Sequence, residues 1–501
     1  LPARWLSDSE VQALSAFMAA LTDDKMAEVA STGVCQFAVG CPTLWTIQRS
    51  EADEDGERFA DGNTLEMGRA SPYDSVSTDG GNSGYQTEFS LSFPAQEALT
   101  GFAELEGCTA TPSAASNSGA LAFTENAASL GLTDRHGYNV FNWELNNGGW
   151  TETLIMSGGL TAGYLDGDCW PDLMFAGGDH SGLVLYSNDA GAGFARDPRF
   201  PEGVGSAVSN VALVDIDGDY RREWIVGNTR SGAVMVVGWM DSFPYISELA
   251  LLPMTRNTFG LSAGDHNNDG YPDLYFNHWG VGGLPGTAPA FWLNDAGNSL
   301  KPADKAVKLS AADGISQQFN FASAFADFND DGWQDLVVAS DFGTSLATQN
   351  TDKEDGTRYF RNVTDRGIIS DENGMGQAVG DFDNDGKLDW FVSSVFDPSG
   401  AAEGNWGVTG NRLYRNVSTL ERVQFEDVTE SAGVRQGLWG WGSCMADFNN
   451  DGWLDIFHEN GFGYIPEDAR TDKTAFRIDN YKVMAAEFLS NRPALFINNG
   501  D

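Results

Sequence analysis

Short apolar runs alternate with polar turns along most of this chain, and the same order of runs and turns recurs. One apolar run precedes each polar loop, and a second run, such as Leu336–Val338 or Ile456–Phe457, follows it. These runs are rich in aromatic and β-branched residues and are bounded by turn residues, which indicates strands. A third run such as Leu413–Asn416 comes next, and in several copies a fourth, such as Phe425–Thr429. Four antiparallel strands in each repeat predict an all-β fold, a β-propeller of four-stranded blades.

Two segments have a helical pattern instead. Ser7–Glu10 forms a capping box, and the apolar residues from Val11 to Leu21 then fall on one helical face, which predicts a short N-terminal helix. A second helix is expected in an insertion at about 461–493, ended by Pro493.

The polar loops share a nine-residue pattern, D-x-[D/N]-x-D-G-x-x-[D/E]. Its copies begin at positions 164, 215, 265, 327, 381 and 447, with spacings of 51, 50, 62, 54 and 66 residues. Calcium takes six to eight oxygen ligands, and alternate residues of a tight loop turn their side chains to the same point. Positions 1, 3 and 5 would supply side-chain oxygens, position 7 its carbonyl oxygen, and the acid at position 9 would close the shell. Glycine at position 6 allows the sharp turn.

The six loops contain the candidate calcium ligands. They are Asp166, Asp168 and Asp172 in the first loop; Asp215, Asp217, Asp219, Arg221 and Glu223 in the second; Asp265, Asn267, Asp269, Tyr271 and Asp273 in the third; Asp327, Asn329, Asp331, Trp333 and Asp335 in the fourth; Asp381, Asp383, Asp385, Lys387 and Asp389 in the fifth; and Asp447, Asn449, Asp451, Trp453 and Asp455 in the sixth.

The alternative for any single copy is a solvated turn, because Asp, Asn and Gly are common in turns without metal. Five copies in the same register favour five Ca²⁺ sites. In the copy at 164–172, Tyr164 replaces the first acid and Cys169 the glycine, so a sixth site competes with an empty structural turn. An EF-hand would close with Glu at position 12 between helices, whereas strands flank these loops.

The repeats resemble the FG-GAP (integrin α type) repeats, and among them the cartilage acidic protein family and its bacterial relatives. The resemblance rests on Phe425–Gly433, the loop Asp447–Asp455, Leu413–Asn416 and Leu495–Asp501, and it covers about 121–501. It implies a calcium-loaded β-propeller and no activity that can be carried over to particular residues. Members of this family usually continue into another repeat and a small C-terminal domain, so the end at Asp501 suggests a processed or truncated product.

A second resemblance is short. Leu6–Asp23 is similar to the C-terminal end of bacterial di-haem cytochrome c peroxidases, although the chain has no Cys-x-x-Cys-His motif. It implies at most a haem domain upstream or in a partner, and the alternative is a helix packed on the propeller edge.

We therefore divide the chain into three parts. Residues 1–42 form the N-terminal helix and a cysteine loop; residues 43–120 form an acidic, Ser/Gly-rich segment with some strands; and residues 121–501 form the propeller. We expect seven blades, with six as the alternative. The seventh would come from 43–107, where Glu51–Gly56 imitates part of the loop although Phe59 stands at position 9. Residues 121–132 could complete the blade that begins at 447 and close the ring.

The formal net charge of −43 and the pI near 4.2 argue against direct binding to nucleic acid or anionic lipid. The sequence also has no apolar run of 18 residues, so no membrane span is predicted. Calcium loops fill where free calcium is roughly millimolar, which favours a secreted, cell-surface or periplasmic location. Cys35 could pair with Cys41 and Cys108 with Cys169, whereas Cys444, in an apolar strand, is expected to be a buried free thiol.

No catalytic motif is recognisable. None of the five histidines lies in a zinc pattern, and His266 is expected to face outward from position 2 of its loop. The function predicted is a non-enzymatic, extracellular binding, adhesion or scaffold module for a protein or glycan. Alternatives are a calcium-dependent polysaccharide lyase and an accessory domain of a haem peroxidase system. Five tryptophans could stack on sugars or pack between blades: Trp279, Trp333, Trp439, Trp441 and Trp453.

Overall fold

The protein is described by a computed structural model that covers part of the chain. The described residues are 45–52, 58–59, 64–67, 87–92, 127–134, 158–163, 170–178, 181–198, 208–218, 222–228, 233–240, 243–246, 252–253, 258–279, 289–315, 319–398, 407–460 and 493–500. For the strands within 45–92 and 233–253, only the backbone is described.

Five sheets follow the same four-strand antiparallel path, in which each strand pairs with the next along the chain. The first contains β5 (Gly159–Gly163), β6 (Asp172–Ala176), β7 (Leu183–Asn188) and β8 (Phe194–Arg196). The second contains β9 (Val208–Val214), β10 (Glu223–Asn228), β11 (Ala233–Met240) and β12 (Phe243–Ile246), with β13 (Leu252–Pro253) also paired to β11. The third contains β14 (Thr258–Gly264), β15 (Asp273–His278), β16 (Phe291–Asn294) and β17 (Leu300–Pro302). The fourth contains β18 (Asn320–Ala326), β19 (Asp335–Ser340), β20 (Leu346–Asp352) and β21 (Arg358–Asn362), and the fifth β22 (Gly376–Gly380), β23 (Asp389–Ser393), β24 (Arg412–Asn416) and β25 (Phe425–Asp427).

Two further sheets differ from these five. Strands β26 (Gly440–Ala446), β27 (Asp455–Asn460) and β28 (Ala494–Phe496) form a sheet with three strands in the described residues. Near the N-terminus, β1 (Trp45–Ala52) is a central strand that pairs with β2 (Arg58–Phe59), β3 (Thr64–Met67) and β4 (Thr87–Ser92).

The all-β propeller prediction is confirmed, but the prediction of seven or six complete blades is wrong for the described residues. Five complete four-strand blades are present. The repeat that begins at 447 has three described strands, and the candidate seventh blade is not a meander, because β1 pairs with all three of its neighbours in sequence. Short alternating strands look alike in a blade and in another antiparallel sheet, so their pairing could not be predicted from the pattern.

Hydrophobic side chains lie between successive sheets rather than within each one. Phe325, Val338 and Phe360 of the fourth blade pack with Tyr275 and Phe291 of the third, and corresponding clusters join each of the other successive sheets. Every residue of β15, β19 and β23 is buried, because a blade has a neighbouring blade on both faces. Apolar burial therefore contributes to holding the blades together.

Helix contributes little to the described residues. A four-residue helix, α1 (Thr429–Ala432), follows β25, and a 3-10 turn covers Ala311–Asp313. In the part of the chain that the structure describes, no helix has the length and apolarity needed to cross a membrane. The predicted N-terminal helix, almost all of the 461–493 insertion and the two predicted disulfides lie outside the described residues. Cys444 is a free thiol, although it is half-buried rather than fully buried, and burial raises its pKa to about 11.

Residues 127–134 pack on the first complete blade. The Phe194 N–H donates to the carbonyl oxygen of Leu130 at 2.6 Å, and the Asp134 carboxylate accepts from the hydroxyls of Tyr186 and Ser181. The preceding residues, 121–126, lie outside the described residues. Closure of the ring through 121–132 therefore stays a prediction.

Candidate metal centre

The candidate calcium loops occupy the same place in the five complete blades and in the β26–β28 sheet, between the first and second strands. The loops at 265–273, 327–335, 381–389 and 447–455 are described completely. Asp219 and Arg221 of the second loop, and Asp166 and Asp168 of the first, lie outside the described residues. Because each loop joins equivalent strands, all of the described loops lie at the same end of their blades.

Backbone dihedral angles explain two sequence preferences in these loops. Position 4 has a positive φ in each completely described loop, at Asn268 (52°), Asp330 (59°), Asn384 (54°) and Asn450 (57°). Position 6 also has a positive φ, for example 84° at Gly332 and 92° at Gly452. A Cβ atom at either of these glycines would meet nothing within 4 Å. Glycine is therefore favoured at position 6 by backbone strain rather than by lack of space.

The side chain at position 1 folds the loop around itself. In the loop at 327–335, the Asp327 carboxylate accepts hydrogen bonds from the N–H groups of Asp331 (3.1 Å) and Gly332 (2.7 Å). The Asp331 carboxylate in turn accepts from the Trp333 N–H at 3.0 Å. Position 1 makes the same two bonds in the loops that begin at 265, 381 and 447. The short polar loop thus holds the carboxylates of positions 1 and 5 close together.

Among the described residues, two of the loops bring three acids close together. Carboxylate oxygens of Asp381, Asp383 and Asp385 all lie within 4.8 Å of one another. In the second loop, Asp215, Asp217 and Glu223 form a second group, which brings together positions 1, 3 and 9 instead of 1, 3 and 5. The guanidinium of Arg415, 4.0 Å from Asp383, offsets part of the negative charge in the fifth loop.

Burial and mutual repulsion raise the pKa values of several carboxyl groups in these loops. Burial, with a smaller contribution from the neighbouring Asp331 charge, raises the pKa of Asp327 to about 7. Burial also raises the pKa of Asp381 to about 6, with added repulsion from Asp383 and Asp385. A divalent cation would favour the ionised form of these carboxyls and so reverse the effect.

The amide at position 3 has an acceptor that points to a ligand. Asn329 is buried, and its Nδ2 donates to Asp331 at 3.0 Å and to the Leu420 carbonyl at 2.9 Å. Its Oδ1 atom is buried with no hydrogen-bond partner. Carboxylates, an amide oxygen and a backbone turn of this kind are the hard oxygen donors that calcium prefers, so the residues fit the predicted ion.

The acid at position 9 has a second role that the sequence reasoning did not include. Asp335 is fully buried, and its two oxygens accept from the N–H of Phe328 (3.0 Å) and from the N–H of Asn350 on β20 (2.8 Å). The equivalent acids Asp273 and Asp389 make the same pair of bonds. Burial raises the pKa of Asp273 to about 8. Position 9 therefore ties the loop to the third strand of its own blade.

Sequence reasoning also missed the asparagine at the end of the third strand. In the fourth blade, Nδ2 of Asn350 donates to the carbonyl oxygen of Gln334, at position 8 of its own loop (3.0 Å). An asparagine makes the corresponding bond in four other sheets: Asn188 to Pro171, Asn294 to Pro272, Asn416 to Leu388 and Asn498 to Leu454. Its signal in the sequence was the asparagine that recurs at the same place in the third run of five repeats.

Two of the predicted ligands at position 7, Trp333 and Lys387, turn their side chains to other partners. The Trp333 ring lies 3.8 Å below the Arg358 guanidinium, and the Lys387 ammonium donates to the Ser418 carbonyl oxygen. This agrees with a role for the main chain at this position. His266, expected to face outward, is instead buried against Phe291 and Phe360, since position 2 packs between blades.

Two of the five candidate tryptophans pack between blades. Trp279 is buried and stacks on Phe321 of the next blade, with ring centroids 5.8 Å apart, and its Nε1 donates to Asp341 at 3.0 Å. Trp439 is also buried. Trp333, Trp441 and Trp453 are half-buried. The packing alternative is thus the one observed for Trp279 and Trp439.

Comparison with solved structures gives only distant likenesses. They include a lectin of Agrocybe aegerita that recognises non-reducing terminal N-acetylglucosamine (TM-score 0.30, 12% identity, 54% of this chain and 66% of the lectin). They also include the exotype rhamnogalacturonan lyase YesX (TM-score 0.29, 13% identity, 60% of this chain and 55% of the lyase). A third is the V. cholerae biofilm matrix protein Bap1 (TM-score 0.25, 16% identity, 50% of this chain and 43% of Bap1). At these TM-scores the likenesses carry no argument about a ligand.

Sequence comparison is more specific. Residues 327–392, which contain the fourth and fifth candidate loops, match the FG-GAP-like repeat. Mouse (Mus musculus) cartilage acidic protein 1 is 24% identical over 336 residues, which are 60% of this chain and 48% of that protein, so the chain spans about half of this relative's length. The chain therefore carries an FG-GAP-like repeat within an all-β propeller, and its resemblance to the cartilage acidic protein family is confirmed.

Proposed function

We propose that this chain is a calcium-binding β-propeller that acts outside the cytoplasm as a non-enzymatic binding or scaffold module. Five loops would each hold one Ca²⁺, through the residues predicted at positions 1, 3, 5, 7 and 9. The single observation that carries the proposal is the converging acid group of Asp381, Asp383 and Asp385, held by a loop whose backbone recurs in the other blades.

Calcium would supply the positive charge that balances the carboxylates of these loops. Three carboxylates within 4.8 Å of one another repel at neutral pH, and two of the described loops contain such a group. The buried Oδ1 of Asn329 supports the same ligand in the fourth loop. Filled loops would make the loop end of the blades a rigid surface to which a protein or glycan partner could bind.

The extracellular role is supported by charge and by the relative. The net charge of −43 exceeds what five divalent ions would neutralise, which leaves an acidic surface suited to a calcium-rich exterior. The matched relative is a protein named for cartilage and acidity. A secreted, cell-surface or periplasmic location follows as part of the proposal.

Thermal unfolding of the chain in millimolar calcium and in excess chelator tests the metal. A ligand that binds only the folded state stabilises it by about 2.7 kcal/mol per site at a hundredfold excess over Kd. We expect a shift of many degrees together with five or more bound ions, counted by elemental analysis. No shift and no bound metal would overturn the proposal.

The binding role has a separate test. The chain is immobilised and offered defined glycan arrays and extracellular matrix proteins, once with calcium and once with chelator. A matched variant, Asp381→Asn with Asp383→Asn and Asp385→Asn, removes one candidate site. Capture that depends on calcium is expected; identical capture under both conditions would contradict a calcium-organised surface.

A further inference from the structure

We propose that neighbouring loops bind calcium as coupled pairs, with Gln334 and Asn350 as the positioning residues that couple the loop at 265–273 to the loop at 327–335. This inference rests on the proposed calcium binding. Coupling is a property of two loops together, because the hydrogen bonds that produce it join neighbouring blades.

The first contact joins the two loops directly. Gln334 occupies position 8 of the loop at 327–335 and is buried. Its Oε1 accepts a hydrogen bond from the N–H of Asp265, the first ligand of the preceding loop, at 2.8 Å. The position of the Asp265 backbone therefore depends on how the next loop is folded.

The second contact runs through the third strand. Asn350 donates from Nδ2 to the carbonyl oxygen of His266, at position 2 of the preceding loop (2.8 Å). Arg358 fixes the orientation of this amide, because its Nε donates to Asn350 Oδ1 at 3.1 Å. With this acceptor taken by Arg358, Nδ2 faces the two carbonyl oxygens of His266 and Gln334.

These bonds connect the two position-9 acids. The Asp273 carboxylate accepts from the N–H of His266 at 3.0 Å, and the His266 carbonyl oxygen accepts from Asn350. The N–H of Asn350 donates to the Asp335 carboxylate at 2.8 Å. A shift of either acid on metal binding is therefore transmitted to the other through bonded groups that are all buried.

A third contact depends on position 4. Asn268 donates from Nδ2 to the carbonyl oxygen of Gly332, at position 6 of the next loop (2.9 Å), and Asn384 makes the same bond to Gly452. The fourth loop has Asp330 at this position, and a carboxylate has no donor. The pairs 265–273 with 327–335, and 381–389 with 447–455, should therefore be coupled more strongly than 327–335 with 381–389.

The asparagine contact recurs across the other blades. Asn294 donates to the Ile216 carbonyl oxygen at 2.7 Å, Asn416 to Phe328 at 2.8 Å and Asn498 to Phe382 at 2.7 Å. In the second blade, the strand register places Trp239 where the other blades have this asparagine. The loop before that blade is the one at 164–172, in which Tyr164 replaces the first acid. Loss of the asparagine thus coincides with loss of a ligand.

The coupling arises because each bound ion would restrict the conformational freedom of its loop. An ion that fixes one loop also fixes the neighbour's backbone groups, so the second ion has less disorder to remove. Binding couplings of this kind are typically about 5- to 150-fold in affinity and are reciprocal between the sites.

Terbium luminescence sensitised by tryptophan tests this coupling one loop at a time. Trp333 stands at position 7 of the loop at 327–335. The parent chain for this test carries Trp170→Phe and Trp453→Phe, which remove the tryptophans at position 7 of the loops at 164–172 and 447–455. The emission that a further Trp333→Phe change abolishes is assigned to the loop at 327–335. In this background, Asp269→Ala disables the neighbouring loop, and Asp451→Ala disables a loop that is not a neighbour.

We expect Asp269→Ala to weaken terbium binding at 327–335 by at least about fivefold, and Asp451→Ala to leave it unchanged. Adding Gln334→Met should reduce the effect of Asp269→Ala, because the Asn350 and Asn268 contacts remain, whereas Gln334→Glu, which keeps the acceptor, should retain the full effect. Asn350→Ala should act like Gln334→Met, and circular dichroism confirms that each variant is folded.

Two results would overturn the coupling alone: an affinity at 327–335 that ignores Asp269→Ala, or an effect that persists undiminished in Gln334→Met. Absence of any sensitised emission from the parent chain would instead overturn the proposed calcium binding, and the coupling with it.

Discussion

The side-chain amide of Asn416 joins two blades by donating to the carbonyl oxygen of Phe328 at 2.8 Å. Its second N–H donates to the Leu388 carbonyl oxygen of its own blade at 2.9 Å, and its Oδ1 accepts from the Ser418 N–H at 2.9 Å. Every polar atom of this buried side chain is therefore used. The asparagine that ends this third strand is thus a structural link between neighbouring blades.

Replacement of this asparagine should be costly. Asn416→Ala leaves the Phe328 and Leu388 carbonyl oxygens without their donor, and each buried unsatisfied group costs about 1–3 kcal/mol. We expect the free energy of unfolding in urea to fall by roughly 2–4 kcal/mol. Asn362→Ala, at an exposed asparagine that ends β21, is the matched control and should change it by less than about 0.5 kcal/mol. Equal effects would show that the cross-blade bond contributes nothing.

Positions 3 and 9 of one loop should respond in opposite ways. Asp389→Asn puts an amide in place of a buried carboxylate that accepts from two N–H groups, so it should destabilise the protein by roughly 1–3 kcal/mol with or without calcium. Asp383→Asn removes a charge that repels Asp381 and Asp385, so it should stabilise the calcium-free protein slightly and weaken calcium binding. Urea unfolding in chelator measures the effect of each variant on stability without calcium, and a calcium titration measures its effect on calcium affinity. A similar loss of stability for Asp383→Asn and Asp389→Asn in chelator would contradict the different roles of positions 3 and 9.

Backbone strain at position 6 gives a third prediction. Gly332 has φ of 84°, and a Cβ there would meet nothing within 4 Å, so Gly332→Ala should cost about 1–2 kcal/mol through strain alone. Gly442→Ala is the matched control, since that glycine also has open space but lies in a strand without a positive φ. Thermal unfolding of both variants should show a lower Tm for Gly332→Ala only. An unchanged Tm for Gly332→Ala, or an equal decrease for Gly442→Ala, would contradict a strain specific to the positive φ at position 6.

A buried histidine should make stability depend on pH. Burial lowers the pKa of His458, which stacks between Phe391 and Phe496. The unfolded state therefore gains a proton more readily, and stability should be lost as pH falls below the ordinary histidine value of about 6.5. The measurement is the free energy of unfolding against pH, in saturating calcium, for the native chain and for His458→Phe. The difference between the two curves should change below about pH 6.5; a constant difference would show that His458 does not titrate.

Much of the fold and the candidate site was predictable because the loop pattern repeats. Asp327, Asp331 and Gly332 stand at fixed positions of a loop whose geometry is local, so their mutual hydrogen bonds follow from spacing alone. The FG-GAP resemblance and the propeller were predictable for the same reason. The sequence predicted Asp335 as a metal ligand, which stays a prediction, but it did not predict the bond from the N–H of Asn350, which comes from a strand that the loop pattern does not include.

His266 shows where the sequence pattern misled. Position 2 alternates with the inward ligands, so it was expected to face solvent, and a single loop would place it there. In the propeller the next blade covers that side, and the residue lies buried against Phe291 and Phe360. Burial lowers its pKa to about 4, which the sequence could not indicate.

The sequence by itself determined the repeat, the strands and the composition of each loop, because these depend on residues within nine positions of one another. The number of complete blades depended on tertiary structure, since strand pairing is decided by the neighbours that a strand meets. Tertiary structure also decided which groups join the loops, such as Gln334 to Asp265 and Asn350 to His266. Those residues are 69 and 84 positions apart, and only packing of one blade on the next brings them within hydrogen-bond distance.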